Sequence, residues 1–496
     1  MSCSPEILVS RTLSFGAAVA VLLLAGCASV SPDKDRAALD ALIGSNPLTA
    51  GAALPVAPMA ASTTDAAASG APHAKPLAGP SEPLTQEAAV RLALVHSPRA
   101  QQALAALQLS DAERAQAASL PNPVLAFSRL REGRELELER SLRISLLGLL
   151  TLPWQAKWAD QRHEAARLQA ALELLQLAAQ TRRAWLQAVA AQQGAQYLRD
   201  AREATEAGAQ LGQRMVKAGN WSALQSAREQ LALAEADALL ARAQQSAVAS
   251  REQLLRLLGL QGEAAVQLRL PDRLPALPEA LPSVEEVQVT ALRDRVDLRA
   301  AQAQRIATAE AMGLTRVTRV VNAMEIGASR NTTFANDADR HRSTQRGWEL
   351  ELPIPLFDWG QARGARAEAL YLQAAARLRA TAVQAASEAR EADAARRSAW
   401  QVARRYQREV LPLRRQVNDE MVLRYNAMSA SVWELLAETR ASSLAVHAAM
   451  QAQRDYWLAD TDLQLAISGT SPAGIATLGL AQEAGPAASE SASAAH

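Results

Sequence analysis

Two hydrophobic periods alternate along this chain. Trp348, Leu350, Leu352 and Ile354 alternate with Gly347, Glu349, Glu351 and Pro353. Leu142, Ile144 and Leu146 alternate with Ser141, Arg143 and Ser145. A period of two, with one apolar and one polar face, predicts strands able to stand between lipid and water. A small hairpin on a soluble domain gives the same pattern. Partner strands are expected at about 124–130 and 323–331. The stretches from Trp154 to Leu270, free of proline, and from Leu356 to Thr470, with only Pro412, predict paired long helices. A helix over 155–216 would extend roughly 90 Å. On the return segment Leu224, Ala227, Leu231, Ala234, Ala238, Ala241 and Val248 fall on one heptad seam, interrupted by Gln245. Its alanines let helix backbones approach closely, in a coiled coil or in an ordinary helical bundle.

The body repeats at a spacing near 200 residues. Leu84-Thr85-Gln86-Glu87-Ala88 through Pro98-Arg99-Ala100 resembles Val284-Glu285-Glu286 through Asp297-Leu298-Arg299-Ala300. The turn Gly219-Asn220-Trp221-Ser222-Ala223 resembles Asn426-Ala427-Met428-Ser429-Ala430, and Leu257-Leu258-Gly259 resembles Ala466-Ile467-Ser468-Gly469. Each repeat, 84–272 and 283–469, reads helix, strand, strand, long helix, turn, helix. The expected class is mainly α with a small β part. Four strands cannot close a lipid-facing barrel. Each unpaired edge group in a bilayer costs several kcal/mol, so strands that enter a membrane require several chains to share one barrel.

The ends add an address. The uncharged run Leu13 to Ala25 is shorter than the ~20 residues of a spanning helix and has the length of a signal-peptide core. It closes on Leu24-Ala25-Gly26-Cys27, which resembles the bacterial lipobox. Residues 1–26 are therefore expected to be a signal peptide and Cys27 the acylated anchor. Ala28 follows it where an aspartate would favour inner-membrane retention. One acyl chain binds only marginally, so anchoring draws on further chains and on the barrel. Residues 27–83 read as a lipidated cysteine followed by a flexible Ala/Pro-rich tether, and 470–496 as a disordered tail.

Composition and motifs exclude much chemistry. Cys3 is the only other cysteine and lies in the signal peptide, so the mature chain has neither a disulfide nor a cysteine metal site. Lys and Arg total 52 against 51 Asp and Glu, without the basic stripe of a nucleic-acid binder. None of His73, His96, His163, His341, His447 and His496 has metal-ligand spacing, and all read as surface or boundary residues. Met324, Met421, Met428 and Met450 are scattered and read as fillers between helices. Neither a phosphate-binding glycine loop nor a nucleophile motif occurs. The chain reads as no enzyme, with no cofactor beyond its covalent lipid.

Four pieces, in order inside the repeat, resemble the TolC-like outer-membrane efflux proteins. They are Leu120-Pro121-Asn122-Pro123, Ala291-Leu292-Arg293-Asp294-Arg295-Val296-Asp297-Leu298, Leu352-Pro353-Ile354-Pro355-Leu356-Phe357-Asp358-Trp359-Gly360, and Tyr425-Asn426-Ala427-Met428. The resemblance covers 84–469. It implies a homotrimer with one shared twelve-stranded outer-membrane barrel, long helical hairpins forming a periplasmic tunnel, and a tip that docks a periplasmic adaptor joined to an inner-membrane pump. The function implied is the passive exit duct of a tripartite efflux system, for drugs, metal ions or other toxic solutes. A protein-secretion duct and a non-channel structural lipoprotein are the competing readings. The expected docking tip is Gly219, Asn220, Trp221 and Ser222 with Asn426, Met428 and Ser429. The expected gate is Glu434, matched to the family's acidic ring, with Tyr425, and with Gln225 where the family has an aspartate. Three copies of Glu434 would raise one another's pKa or draw in a cation. Ala437 and Ala430 stand where a second acidic ring and a locking arginine would be. Tyr425 and local packing are then left to hold the tip.

Overall fold

The computed structural model describes residues 32–44, 46–49, 83–132, 135–281, 287–320, 323–335 and 342–472. The signal peptide, Cys27, residues 50–82 of the expected tether and the tail from 473 onward lie outside these residues. The chain divides into two units. Among the described residues no helix is long and apolar enough to cross a membrane.

The first unit contains 105–169 and 298–381 and is organised by one sheet. Its strands are β1 Val124–Glu132, β2 Glu135–Ser145, β3 Glu325–Ala335 and β4 Arg342–Glu351, antiparallel and in the order β1-β2-β3-β4. The β2–β3 pairing joins the two sequence repeats, and β1 and β4 each keep one edge open. The register sorts the side chains sharply. Rows Leu125–Leu142–Ala328–Trp348 and Ile144–Ile326–Leu350 share one face, together with Phe127, Leu136, Leu138 and Phe334. That face also carries Arg129, Arg131, Arg140, Arg330, Arg342 and Arg346, and no carboxylate among the described strand residues. The opposite face carries Glu135, Glu137, Glu139, Glu325, Glu349 and Glu351, and, among the described strand residues, a single arginine, Arg143. Its glycines lie close to neighbours: a Cβ on Gly327 would meet Arg143, and one on Gly347 would meet Ser329.

The apolar face continues past the strand ends. Leu352, Ile354, Leu356, Phe357 and Trp359 are exposed after β4, as are Leu150 and Trp154 after β2. Here helix α4, Leu146–Lys217, begins at once. α4 contains Pro153, so the expectation of a helix starting after the proline is corrected. Two turns in, the proline removes a single backbone bond, and the helix continues past it to Lys217. Gly360, at φ +71, precedes α9, Gln361–Arg405. A side chain there would strike the Arg319 carbonyl, and its N–H donates to Asp358 Oδ1 at 2.7 Å. The Asp-Trp-Gly sequence is thus a tight left-handed turn that only glycine fits without strain.

The second unit contains 36–104, 170–297 and 382–472. Its core centres on α4 between Ala170 and Ala190, where Leu174, Leu175, Leu177, Ala178, Trp185, Leu186 and Val189 are buried, leaving only a narrow polar edge of Glu173, Gln180, Arg183 and Gln187. The first helix expected in each repeat is broken in two. In the first repeat, α2 Gln86–His96, capped by the Thr85 hydroxyl, stops at Ser97, and α3 spans Pro98–Ala117. Ser97 is extended at ψ 129, as a residue before proline must be. In the second repeat, α7 Val287–Asp294 and α8 Val296–Thr318 meet at Arg295. That guanidinium is 1% exposed. It donates to Asp297 at 2.9 and 3.0 Å, to Glu388 at 2.8 Å and to the Ala466 carbonyl at 3.3 Å. Three segments distant in sequence are thereby pinned together.

One tether expectation fails. Residues 32–44, counted with the flexible segment, form α1, Pro32–Gly44. Leu39, Ile43 and Leu48 are buried, and Leu48 packs on Ala179 and Leu465. Three large aliphatic side chains among alanines gave this segment enough apolar surface to fold onto the body.

The return helix α5, Ala223–Leu258, carries the heptad seam outward. Leu224, Ala227, Leu231, Ala234, Ala238, Ala241 and Val248 are all exposed. On α9, Val383 and Val402 are likewise exposed. After α9 the helix widens into one π turn, Tyr406–Val410, then resumes as α10, Leu411–Asn426. Pro412 sits in the first turn of α10. A wider turn accommodates the missing donor and the ring of proline. α11, Val432–Ser468, closes the fold.

Candidate functional site: the two tip turns

The two helical hairpins of the second unit end in turns of the same construction. Gly219 N donates to Val216 O and Asn220 N to Met215 O; Met428 N donates to Tyr425 O and Ser429 N to Arg424 O. Gly219 lies at φ +75 and Met428 at φ +59. The next helix then starts on a serine: Ser222 caps α5 and Ser431 caps α11, each with a complete capping box. These bonds pair Gly219 with Met428, and Ser222 with Ser431. The turn alignment read from sequence, which set Gly219 against Asn426, is therefore corrected by two residues. Similar side chains had drawn the register away from the backbone geometry.

The corrected register brings Gln225 opposite Glu434. Both are the third helical residue, and both return a side-chain oxygen to the capping serine: Gln225 to Ser222 N at 3.1 Å, Glu434 to Ser431 N at 2.7 Å. The Ser431 backbone N–H and then its hydroxyl hold the Glu434 carboxyl below the ordinary carboxylate range. Glu434 is fully exposed in the single chain. It therefore carries a local capping role that its place in the sequence did not reveal.

The two turns differ in what they present. Met428 is 94% exposed. A non-glycine residue in the left-handed region costs about 1 kcal/mol or more, and here that cost accompanies a wholly solvated thioether. Trp221 is half-buried instead. Its ring stacks on Trp433 with centroids 3.8 Å apart and planes 10° apart. A Cβ on Gly212 of α4 would lie 2.6 Å from the Trp221 ring. One turn of α4 earlier, Gly208 faces Leu436 and Arg440, and Arg440 pairs with Glu229 of α5. Trp433, Gly208, Gly212, Glu229 and Arg440 were not singled out in the sequence. The signal was available only as glycines four apart, since Gly208 meets Leu436 and Arg440, Trp433 meets Trp221, and Arg440 meets Glu229, all over 200 residues apart in sequence. Within the chain the Trp221–Trp433 stack and the Glu229–Arg440 pair join the two hairpins. Tyr425 is exposed and supplies the carbonyl that closes its turn. Arg414 adds a 2.9 Å bridge to Glu438 between α10 and α11.

Away from the tip, one group resembles a metal-ligand set. Asp35, Asp111 and His163 bring their ligand atoms within 4.8 Å of one another. His163, expected at a surface or boundary, is buried, and its Nε2 lies 2.9 Å from Asp35. Arg114 donates to Asp111 at 2.5 and 3.0 Å, so a cation already answers the buried carboxylate. The chemistry available across the described residues is thus recognition by shape, stacking and charge.

No protein-family model matches the chain, and no curated protein matches it in sequence. Solved structures do match. A membrane protein from Pseudomonas aeruginosa superposes with a TM-score of 0.65 at 20% identity, over 77% of this chain and 93% of that one. The Campylobacter jejuni CmeC outer membrane channel gives 0.65 at 13% identity, over 79% and 89%. The open state of the Neisseria gonorrhoeae MtrE outer membrane channel gives 0.62 at 19% identity, over 78% and 89%. At these identities the likeness is one of fold, and it extends over nearly the full length of each channel. A mainly helical chain with a twofold repeat, two long hairpins and a four-stranded sheet thus has the fold of the TolC-like outer-membrane efflux channels.

Proposed function

We propose that this chain is the outer-membrane channel of a tripartite efflux system, a passive exit duct for solutes delivered by an inner-membrane pump through a periplasmic adaptor. The observation that carries the reading is the sheet. It has an apolar face, an acidic face and two open edges. A face rich in exposed leucine, phenylalanine and tryptophan is at home in lipid, whereas open edges are not. Three copies pairing edge to edge close a barrel of twelve strands, with the glutamate face turned to the lumen. The exposed leucine and alanine seam of α5 fits the same assembly, since a neighbouring helix covers it. Cys27 carries the lipid anchor, and the tip turns dock the adaptor through Met428.

The test is single-channel recording of the purified full chain in planar bilayers, paired with its mass in detergent. The reading expects stepwise, cation-preferring conductance from a species of three chains. A monodisperse protein that never conducts, or that conducts as a single chain, rejects it.

A further inference from the structure

The charge sorting of the sheet points beyond a duct. Arg140 of β2 stands opposite Arg330 of β3, which stands opposite Arg346 of β4. All three are exposed, and among the described residues none has an ion pair. Like charges directly across a sheet are destabilising. A row of three guanidinium groups on the face that lacks carboxylates is therefore stabilised only by an anion from outside the sheet. Guanidinium forks suit phosphate oxygens in particular.

The position of the row identifies the anion. Rows are counted from the strand ends that join the helices. Ile144–Ile326–Leu350 comes first, Leu125–Leu142–Ala328–Trp348 second, and Phe127–Arg140–Arg330–Arg346 third. Arg129, Arg131 and Arg342 lie still nearer the hairpin ends. On the helix side the exposed apolar surface runs on to Trp154, Phe357 and Trp359. Trp348 is 78% exposed and Phe357 98%. Trp348 and Phe357 are nine residues apart and so at most ~30 Å apart, against a barrel apolar band of ~25 Å flanked by aromatics. Trp348 thus stands at one aromatic border and Trp154, Phe357 and Trp359 at the other, and the next row beyond Trp348 is the arginine row, in which Phe127 is the fourth member. An arginine there meets headgroups and not acyl chains.

We propose that Arg140, Arg330 and Arg346 form a binding site for the phosphate groups of a phosphorylated glycolipid in the leaflet nearest the β-hairpin ends. The inference rests on the channel reading above, because it needs the sheet in a membrane. The site holds the acyl chains against Leu142, Ala328 and Trp348 and the phosphates against the guanidinium row.

Native mass spectrometry of the full chain in neutral detergent, titrated with lipid A, tests it. Wild-type protein should bind lipid A well above dephosphorylated lipid A. Arg140→Gln, Arg330→Gln and Arg346→Gln together should weaken binding by about 100-fold, at roughly fivefold for each arginine near a lipid surface. Arg228→Gln, Arg242→Gln and Arg256→Gln on α5 remove equal charge and should leave binding unchanged. Should the triple variant fail to fold, Arg330→Gln against Arg330→Lys gives the same answer, with a fivefold loss only where the charge goes. Equal binding of dephosphorylated lipid, equal binding by the triple variant, or full competition by equimolar pyrophosphate overturns the site, the last by assigning it to free phosphate. Wild-type conductance in phosphatidylcholine bilayers is read separately. A protein that conducts but ignores lipid A sinks this inference alone, and one that binds lipid A without conducting sinks the channel reading.

Discussion

Arg295 offers the sharpest energetic test of the fold. Arg295→Met keeps the aliphatic stem and removes a guanidinium that is 1% exposed. Glu388 and Asp297 then lose a partner at 2.8 and 2.9 Å while remaining mostly buried. Breaking one side of a buried pair costs about 3–5 kcal/mol. The lower end applies, because Ser471 and Gln384 still donate to Glu388. The expected loss is therefore about 3 kcal/mol, a factor above 100 in the folding equilibrium. Burial pushes the Glu388 carboxyl up, but the bonds from Ser471, Arg295 and Gln384 outweigh it and hold it below its ordinary value. A carboxyl depressed in the folded state contributes stability above the unfolded pKa and loses it as pH falls through the folded one. The variant should accordingly show a flatter loss of stability from pH 6 to pH 3 than wild type. Urea unfolding of the full chain in detergent, followed by circular dichroism, measures both effects. Adding Glu388→Gln should return about 1–2 kcal/mol through coupling of the pair. A loss under 1 kcal/mol, or strict additivity in the double variant, would falsify the account of Arg295 as the pin between α7, α9 and α11.

Glu434→Gln should keep the cap, since Gln225 makes the same box in the other repeat, yet lower cation selectivity. Because the Ser431 cap holds its carboxyl below the ordinary carboxylate range, wild-type selectivity should persist as the pH falls into that range. Unchanged reversal potentials in a salt gradient would remove Glu434 from the gate. Met428→Gly relieves the left-handed backbone and should raise thermal stability by about 1 kcal/mol while reducing efflux; efflux equal to wild type would free the exposed thioether from docking. Trp221→Ala should loosen the junction of the hairpins and raise closed-state leak in bilayer recordings, by losing a stack of about 1 kcal/mol; wild-type leak in both Trp221→Ala and Trp433→Ala would assign the stack to packing alone. Cys27→Ser should leave the chain unacylated, read by intact mass of the membrane fraction; an unmodified cysteine in the mature wild-type chain would contradict the anchor.

The strands were legible because a period of two with charged alternates has few other uses, and all four elements appear close to their expected places. The long helices were legible from the scarcity of proline, although Pro153 misled the start of α4 by setting a boundary the helix ignores. The breaks at Ser97 and Arg295 were less visible. Pro98 marks the first, but the second depends on a buried ion pair with Glu388, 93 residues away. Helix α1 was hidden by an Ala/Pro-rich neighbourhood, where average composition outweighed Leu39, Ile43 and Leu48. At the tip the sequence located both turns, but their register, and with it the Gln225–Glu434 equivalence, came from the backbone bonds and capping boxes. It could not locate the Trp221–Trp433 stack, because each indole has its partner on the other repeat.

The π turn at Tyr406–Val410 has a consequence for how this chain can vary. It amounts to one residue inserted into an otherwise regular rod, and each α-helical residue advances the spiral by about 100°. Everything distal to it, including Tyr425 and Met428, is rotated by that step relative to the face α9 presents. Deleting a single residue there would turn the Tyr425–Met428 turn by about 100° without altering any residue in it. Lengthening or shortening this one turn would re-aim what the tip presents while leaving the sheet as it is.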